Sequence, residues 1–221
     1  ARRQRPGPPA GPGGPRPPPA ATLRLATHNV HGLLGSNNAK LRALDRVWRR
    51  ERLDVVMVTE TWAAEAEVKA AVDALNEGAD DSARWRVYAT SPRVKNRRVQ
   101  PWSYEKGRGV AIFIRDNLIG RSLHVHEDDV RRPAPGDDGA EAGRYLSLRV
   151  TWHDVTATCR ELRLTCCYFS NHHPLQKRFI SNALAPLVSD SGSDGQVEHI
   201  VAGDFNFTER PDLDRSSRRV T

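Results

Sequence analysis

The chain has 221 residues, enough for one domain with a substantial core. Only 38% of them are hydrophobic, and no apolar run approaches the ~20 residues of a membrane helix, so no transmembrane helix is expected. The formal net charge of +7 fits a phosphate-backbone partner, or reflects only the Arg bias of a GC-rich genome.

Residues 1–20 contain no acid, and twelve of the twenty are Pro or Gly. Such a stretch buries too little apolar area to offset its ordering entropy, so it reads as a disordered leader of polyproline or linker type. Its four arginines leave +3 for the remainder. No signal-peptide pattern opens the chain. The first residue, Ala1, is not Met, which suggests a fragment or a processed product.

A strand is predicted over residues 23–29, followed by a turn at Gly32 and Gly35. Ser36 or Asn37 is expected to cap a helix over about 38–52, with Leu41, Leu44, Val47 and Trp48 at helical spacing. A strand follows at 54–60, and then an alanine-rich helix near 63–76 that buries Val68, Ala71, Val72 and Leu75. A short strand at 85–88 precedes a basic loop over 91–106, in which Trp102 and Tyr104 sit among arginines and lysines. That loop would either track phosphates and stack a base or simply be solvated.

The run 109–115 is apolar throughout and reads as a strand buried on both faces, with 122–126 as its hairpin partner. An acidic loop is expected over 127–143. Antiparallel strands at 144–152 and 162–169 alternate in polarity, Pro174 opens a helix running to about Val188, and the last strand is 198–204. These elements imply an α/β fold of two packed sheets flanked by helices.

Three cysteines, two of them adjacent, make neither a disulfide framework nor a zinc site. They fall on predicted strands as small buried thiols, which fits a reducing compartment, cytoplasm or nucleus. More informative are three apolar strands that finish in oxygen-bearing side chains: Leu23-Arg-Leu-Ala-Thr-His-Asn29, Asp54-Val-Val-Met-Val-Thr-Glu60 and Glu198-His-Ile-Val-Ala-Gly-Asp-Phe-Asn206. Residues two apart on an extended chain face one side, so Asp204 and Asn206 would project together. Three such ends suggest one polar crevice, and hard oxygen donors suit Mg²⁺. Read alone, Gly203-Asp-Phe-Asn206 also fits a turn.

Five motifs carry a family resemblance. Thr27-His-Asn-Val-His-Gly32, Val58-Thr-Glu-Thr61, Gly107-Arg-Gly-Val-Ala-Ile112, Cys166-Cys-Tyr168 and Gly203-Asp-Phe-Asn206 stand in the order used by the endonuclease/exonuclease/phosphatase superfamily, which residues 22–221 resemble. The resemblance implies a four-layer sandwich of two mixed β-sheets flanked by helices. It also implies a Mg²⁺ (or Mn²⁺) cofactor at Glu60, with Asn29 supporting metal or phosphate. Asp204 would contact the nucleophile, while Asn206 and Tyr168 would face the phosphate. Arg144 and Asn171 are candidates for substrate binding. His172 and His173 read as exposed loop residues, and His31 as a solvated turn histidine near DNA.

The sequence also departs from the pattern. Cys166 and Ser170 stand where relatives usually carry Asn and Pro, and no closing Ser-Asp-His motif precedes Thr221. The expectation is therefore a C-terminally truncated domain that lacks its general-base pair and closing strands and is catalytically crippled as it stands.

Pro211-Asp-Leu-Asp-Arg-Ser-Ser217 resembles a run in the endonuclease domains of non-LTR (LINE-type) retrotransposons, and it adds Asp214 and Arg215 at the cleft edge. The activity so implied is Mg²⁺-dependent nicking of DNA, in a chain continuous with a downstream reverse transcriptase and not associated with membrane. The alternatives are another phosphoesterase of the same fold, such as an apurinic endonuclease or lipid phosphatase, and a non-catalytic nucleic-acid-binding remnant.

Overall fold

A computed structural model describes residues 22–91, 108–133, 142–153, 158–189 and 197–206. The leader, most of the basic loop and the Asp214–Arg215 segment lie outside the described residues.

Four strands form the first sheet: β1 (Leu25–Asn29), β2 (Val55–Thr59), β3 (Trp85–Ala89) and β4 (Val110–Arg115), in the order β1-β2-β4-β3. β1 and β2 run parallel, while β4 is antiparallel to both β2 and β3. The second sheet holds β5 (Leu123–Arg131), β6 (Tyr145–His153), β7 (Cys159–Tyr168) and β8 (Val197–Asp204) in sequence order. Here β5, β6 and β7 are antiparallel and β8 is parallel to β7. Both sheets are mixed, as expected.

Residues of β2 and β4 are buried on both faces, which explains their unbroken apolar runs. One face packs Val55, Met57, Val110, Ile112 and Ile114 against Leu146, Leu148, Val150, Leu162 and Leu164 of the second sheet. The other packs Val56, Val58 and Phe113 against two helices, α1 (Ala39–Arg50) and α2 (Glu65–Asn76). Phe113, Trp48 and Trp85 pack at ring-centroid separations of 5.1–6.2 Å. The buried Asp45 carboxylate accepts the Trp85 indole N–H at 2.7 Å and pairs with Arg49 one turn later. On the outer face of the second sheet, Cys167, Phe169 and Val201 receive Phe179 and Ala183 from α3 (His173–Phe179), a π-helical turn (Ile180–Leu184) and α4 (Ala185–Ser189). The four layers are complete. Among the described residues no helix is long and apolar enough to cross a membrane.

Four expectations change. Residues 122–126 do not form a hairpin with β4, because both edges of β4 are taken by β2 and β3. Instead the chain turns through Asp116–Leu118 and crosses to the second sheet, where β5 pairs with β6. β5 also runs on to Arg131 through a register shift between Val125 and Val130, so the acidic stretch is part strand. Its Asp129 is held by Arg131 and Arg163. The N-cap position of α1 falls on Asn38 rather than on Ser36 or Asn37. Asn38 precedes the helix in a left-handed conformation with no side-chain cap, a geometry that Asn tolerates. Cys159 is exposed, whereas Cys166 and Cys167 are buried.

Two predictions follow from this packing. Phe113→Ala removes a fully buried ring at the centre of the aromatic cluster and should cost about 3–5 kcal/mol in urea unfolding. The second concerns acid. Burial pushes the Asp129 carboxyl upward, but hydrogen bonds from Arg163 and Arg131 outweigh it and leave the pKa lowered. A lowered folded pKa favours folding above the unfolded value of about 4, and this contribution is lost as pH falls through the folded pKa. Asp129→Asn should therefore destabilise the protein at pH 7, and the gap should close below about pH 4 when both are followed by circular dichroism.

Candidate active site

Each sheet contributes one parallel pair to the site, β1 with β2 and β7 with β8. In the first, Asn29 stands opposite Thr59, one residue before Glu60. In the second, Tyr168 stands opposite Asp204. The sheets pack face to face, so these carboxyl ends meet. Asn29 Nδ2 donates to Glu60 Oε1 at 2.9 Å and to Asp204 Oδ2 at 2.7 Å, joining the two sheets through one amide. Its carbonyl Oδ1 accepts the His31 N–H at 3.2 Å.

Glu60 is buried and sits at φ 58°, a left-handed conformation that costs a non-glycine residue about 1–3 kcal/mol. Hydrogen bonds on both sides hold it. Gly32 N–H donates to Glu60 O, and Thr61 N–H donates to Gly109 O. Gly109 belongs to the Gly-Arg-Gly motif, and a Cβ there would stand 2.2 Å from Thr61 Oγ1. That glycine lets the β4 backbone press against the segment carrying Glu60. Gly203 plays the same part on the other sheet, where a Cβ would stand 1.9 Å from Cys167 O.

Asp204 Oδ1 accepts the Asn206 N–H at 3.0 Å, which turns the chain after β8. Asn206 is at φ 50°, and its Nδ2 donates to Phe169 O at 2.7 Å. The Tyr168 phenol is buried, and its pKa is raised by that burial and by the Glu60 and Asp204 charges; Arg144 and a hydrogen bond with Asn206 oppose the rise. A proton therefore stays on Tyr168, which remains a donor at neutral pH. The buried Arg144 donates to Tyr168 O at 3.4 Å, and its guanidinium carbon lies 5.4 Å from the Tyr168 ring centroid.

The structure thus brings together Asn29, Glu60, Tyr168, Arg144, Asp204 and Asn206. Asn171 is exposed on the bend before α3, with no contact to this group among the described residues. His172 and His173 are exposed as well. The nearby thiols are poor nucleophiles, since burial and the Asp204 charge push Cys167 up to about 12.

Two members of the cluster escape sequence reasoning. His31 is largely solvated, yet its Nδ1 lies 3.1 Å from Glu60 Oε2. A signal existed, because Asn29 and His31 share the i, i+2 spacing of Asp204 and Asn206. Gln176 is buried and donates to Asn206 O at 3.3 Å. It shares a helical stripe with Phe179 and Ala183, where a polar residue needs a partner.

The Glu60 and Asp204 carboxylates converge on one neutral amide, and no Lys or Arg bonds to either among the described residues. Excess negative charge on hard oxygens fits a divalent cation such as Mg²⁺. Glu60 is the residue that would hold it, since Asn29, the other expected ligand, turns its N–H rather than its carbonyl toward both carboxylates. No group of three or more His, Cys, Asp and Glu forms a metal site among the described residues.

The sequence profile of the Endonuclease/Exonuclease/phosphatase family matches residues 26–219. The chain belongs to this family. Solved structures agree on the fold. The AP endonuclease LMAP from Leishmania major is 20% identical over 86% of this chain and 57% of its own, with a TM-score of 0.54. TDP2 from D. rerio, complexed with a single-strand DNA product, is 15% identical over 87% of this chain and 63% of its own, at 0.53. The 3′ phosphatase NExo from Neisseria, bound to a product DNA hairpin, is 18% identical over 84% and 58%, at 0.52. The chain therefore spans about six tenths of the length of these structures. No curated protein sequence matches it significantly.

For this member of the family, Asn29→Ala should remove two charge-assisted hydrogen bonds and leave the carboxylates facing each other without a donor. The expected loss is about 1.5–3 kcal/mol in urea unfolding without divalent cations.

Proposed function

We propose that this chain is a Mg²⁺-dependent, DNA-nicking endonuclease domain of a non-LTR retrotransposon polyprotein. The observation that carries the catalytic part is the convergence of Asn29, Glu60, Tyr168, Asp204 and Asn206 where the two parallel strand pairs end. DNA as substrate is supported by the DNA products bound to two structures of similar fold, the D. rerio TDP2 and the Neisseria NExo. The Leu-Asp-Arg-Ser run supports the retrotransposon assignment, with Asp214 and Arg215 at the cleft edge and a reverse transcriptase in the same polyprotein. Such a protein would act where it meets DNA, in the nucleus or the cytoplasm.

In this reading the Asp204 carboxylate takes the proton of the attacking water. The Asn206 N–H and the Asn29 amide fix its two oxygens, so its basic lone pairs keep one direction. Tyr168, protonated at neutral pH, donates to a phosphoryl oxygen, and the Arg144 charge beside it favours the anionic phosphate. Asn206 orients the phosphate from the other side. His31, in contact with Glu60, holds that carboxylate in place from the solvent side. A divalent cation bound at Glu60 supplies neutralisation of the charge that develops on the phosphoryl and leaving oxygens.

Supercoiled plasmid provides the test. In the full-length protein the domain should convert it to the nicked circle in Mg²⁺ and not in EDTA, leaving ends that a DNA polymerase extends. Glu60→Ala and Asp204→Ala should each lower the rate by about 10²–10³-fold. Wild-type nicking rates in Glu60→Ala would overturn the site assignment.

A further inference from the structure

At the pole of the first sheet opposite the candidate active site lies a polar cavity of about 340 Å³. Its lining includes Arg49, Arg52, Asp54, Ser82, Arg115 and Asn117. Asp54 precedes β2 and Arg115 ends β4, so the length of β2, roughly 16 Å for five residues, separates this cavity from Glu60.

The lining is rich in donors and poor in acceptors. Arg115 is buried, 7% exposed, and its guanidinium stacks 3.8 Å from the Trp85 ring centroid. Its Nε donates to Leu53 O and its Nη1 to Ala83 O, both at 3.1 Å, which fixes the plane of the fork. Nη2 meets no acceptor among the described residues. Burial lowers the Arg115 pKa, and the Arg49 charge beside it adds to the effect, while the Asp45 and Asp54 carboxylates oppose it. Arg49 is paired with Asp45, and Asp54 accepts the Arg24 N–H at 2.8 Å. The side chains of Arg52, Ser82 and Asn117 have no hydrogen-bond partner among the described residues.

Arg52 carries a second and independent signal. It terminates α1 in a Schellman arrangement: Leu53 N–H donates to Trp48 O at 2.9 Å and Arg52 N–H to Arg49 O at 3.0 Å. The residue in that position is left-handed, here at φ 54°, and is usually Gly. Helix termination alone does not explain an arginine there, since Gly would meet the backbone demand with less strain.

We propose that this cavity binds a phosphate group, with the Arg115 Nη2 and Arg52 guanidinium N–H groups on its oxyanion and Ser82 and Asn117 completing the donor set. A planar guanidinium already fixed by stacking and two carbonyls loses little entropy on binding a phosphate. The group comes from a small phosphate ester or from a nucleic-acid backbone held at a second point.

Arg52→Gly separates folding from binding. Gly relieves the left-handed strain, so the thermal midpoint should rise by a few degrees. Calorimetric titration with pyrophosphate should nevertheless show roughly tenfold weaker binding than wild type, as expected for loss of one charge-assisted contact. Parallel titrations with a single-stranded oligonucleotide distinguish the two sources. A loss shared by pyrophosphate and oligonucleotide assigns the cavity to a nucleic-acid backbone, and a loss confined to pyrophosphate assigns it to a small ester. Undetectable pyrophosphate binding by the wild type, or equal binding by Arg52→Gly, would overturn the proposal. Nicking turnover at saturating plasmid should be unchanged in this variant, because Arg52 stands at the far pole from Glu60, whereas loss of a backbone contact would raise only the plasmid concentration needed to saturate.

Discussion

The apolar seam between the two sheets places every side chain of the candidate site. Val55, Met57, Ile112 and Ile114 on one sheet meet Leu146, Leu148, Leu162 and Leu164 on the other, and packed sheets stand about 10 Å apart. At that spacing, side chains leaving the two strand ends reach one another only where the ends are level. The parallel registers Asn29–Thr59 and Tyr168–Asp204 set that level within each sheet. A one-residue slip of β8 would turn Ile200 and Ala202 away from the apolar seam, so there the hydrophobic pattern that builds the core also fixes the site.

The geometry at the strand ends has an electrostatic cost that the core must carry. Two carboxylates face one amide, Glu60 is buried, and the raised pKa of Tyr168 registers both charges. Left-handed residues at His31, Glu60, Trp62 and Asn206 add backbone strain at the same place. Hydrogen bonds from Gly32 and Leu33 on one side and to Arg108 and Gly109 on the other hold this segment. Removing the strain would need a different turn after β2, and that turn would no longer aim Glu60 at Asp204. Among the described residues, four of the seven left-handed non-glycine residues gather at this end of the molecule, where the turn after β2 must aim Glu60.

Much of this is legible in the sequence, for physical reasons. A strand buried on both faces must be apolar, so a polar residue that ends such a run marks the edge of the core; Asn29, Glu60 and Asp204 stand out for that reason. The four-layer order follows from helical and strand periodicities read together. What stays hidden depends on competition in space. The partner of residues 123–131 cannot be read locally, because it depends on β4 having both edges filled. The acidic character of Glu127, Asp128 and Asp129 imitates a loop, and only Arg131 and Arg163, the latter 34 residues downstream of Asp129, reveal a strand with paired charges. His31 and Gln176 stay hidden because their partners lie on other elements.

Arg52 shows how a local rule and a distant demand conflict within one residue. The helix end asks for Gly, and the Schellman hydrogen bonds form regardless. Natural chains settle near a stability threshold, so a strained residue persists without selection only while its cost is small. A single left-handed Arg is tolerable on that scale, and strain by itself carries little weight. The neighbouring Arg115 adds weight, because its guanidinium is held in one plane by Trp85, Leu53 O and Ala83 O and leaves Nη2 for a further acceptor. A strained arginine and a preset one on one cavity wall are hard to explain by helix termination alone. An anionic group in the cavity would add to the Asp45 and Asp54 charges that already oppose the crowding of Arg115 and Arg49, and it would give the free donors of the wall an acceptor.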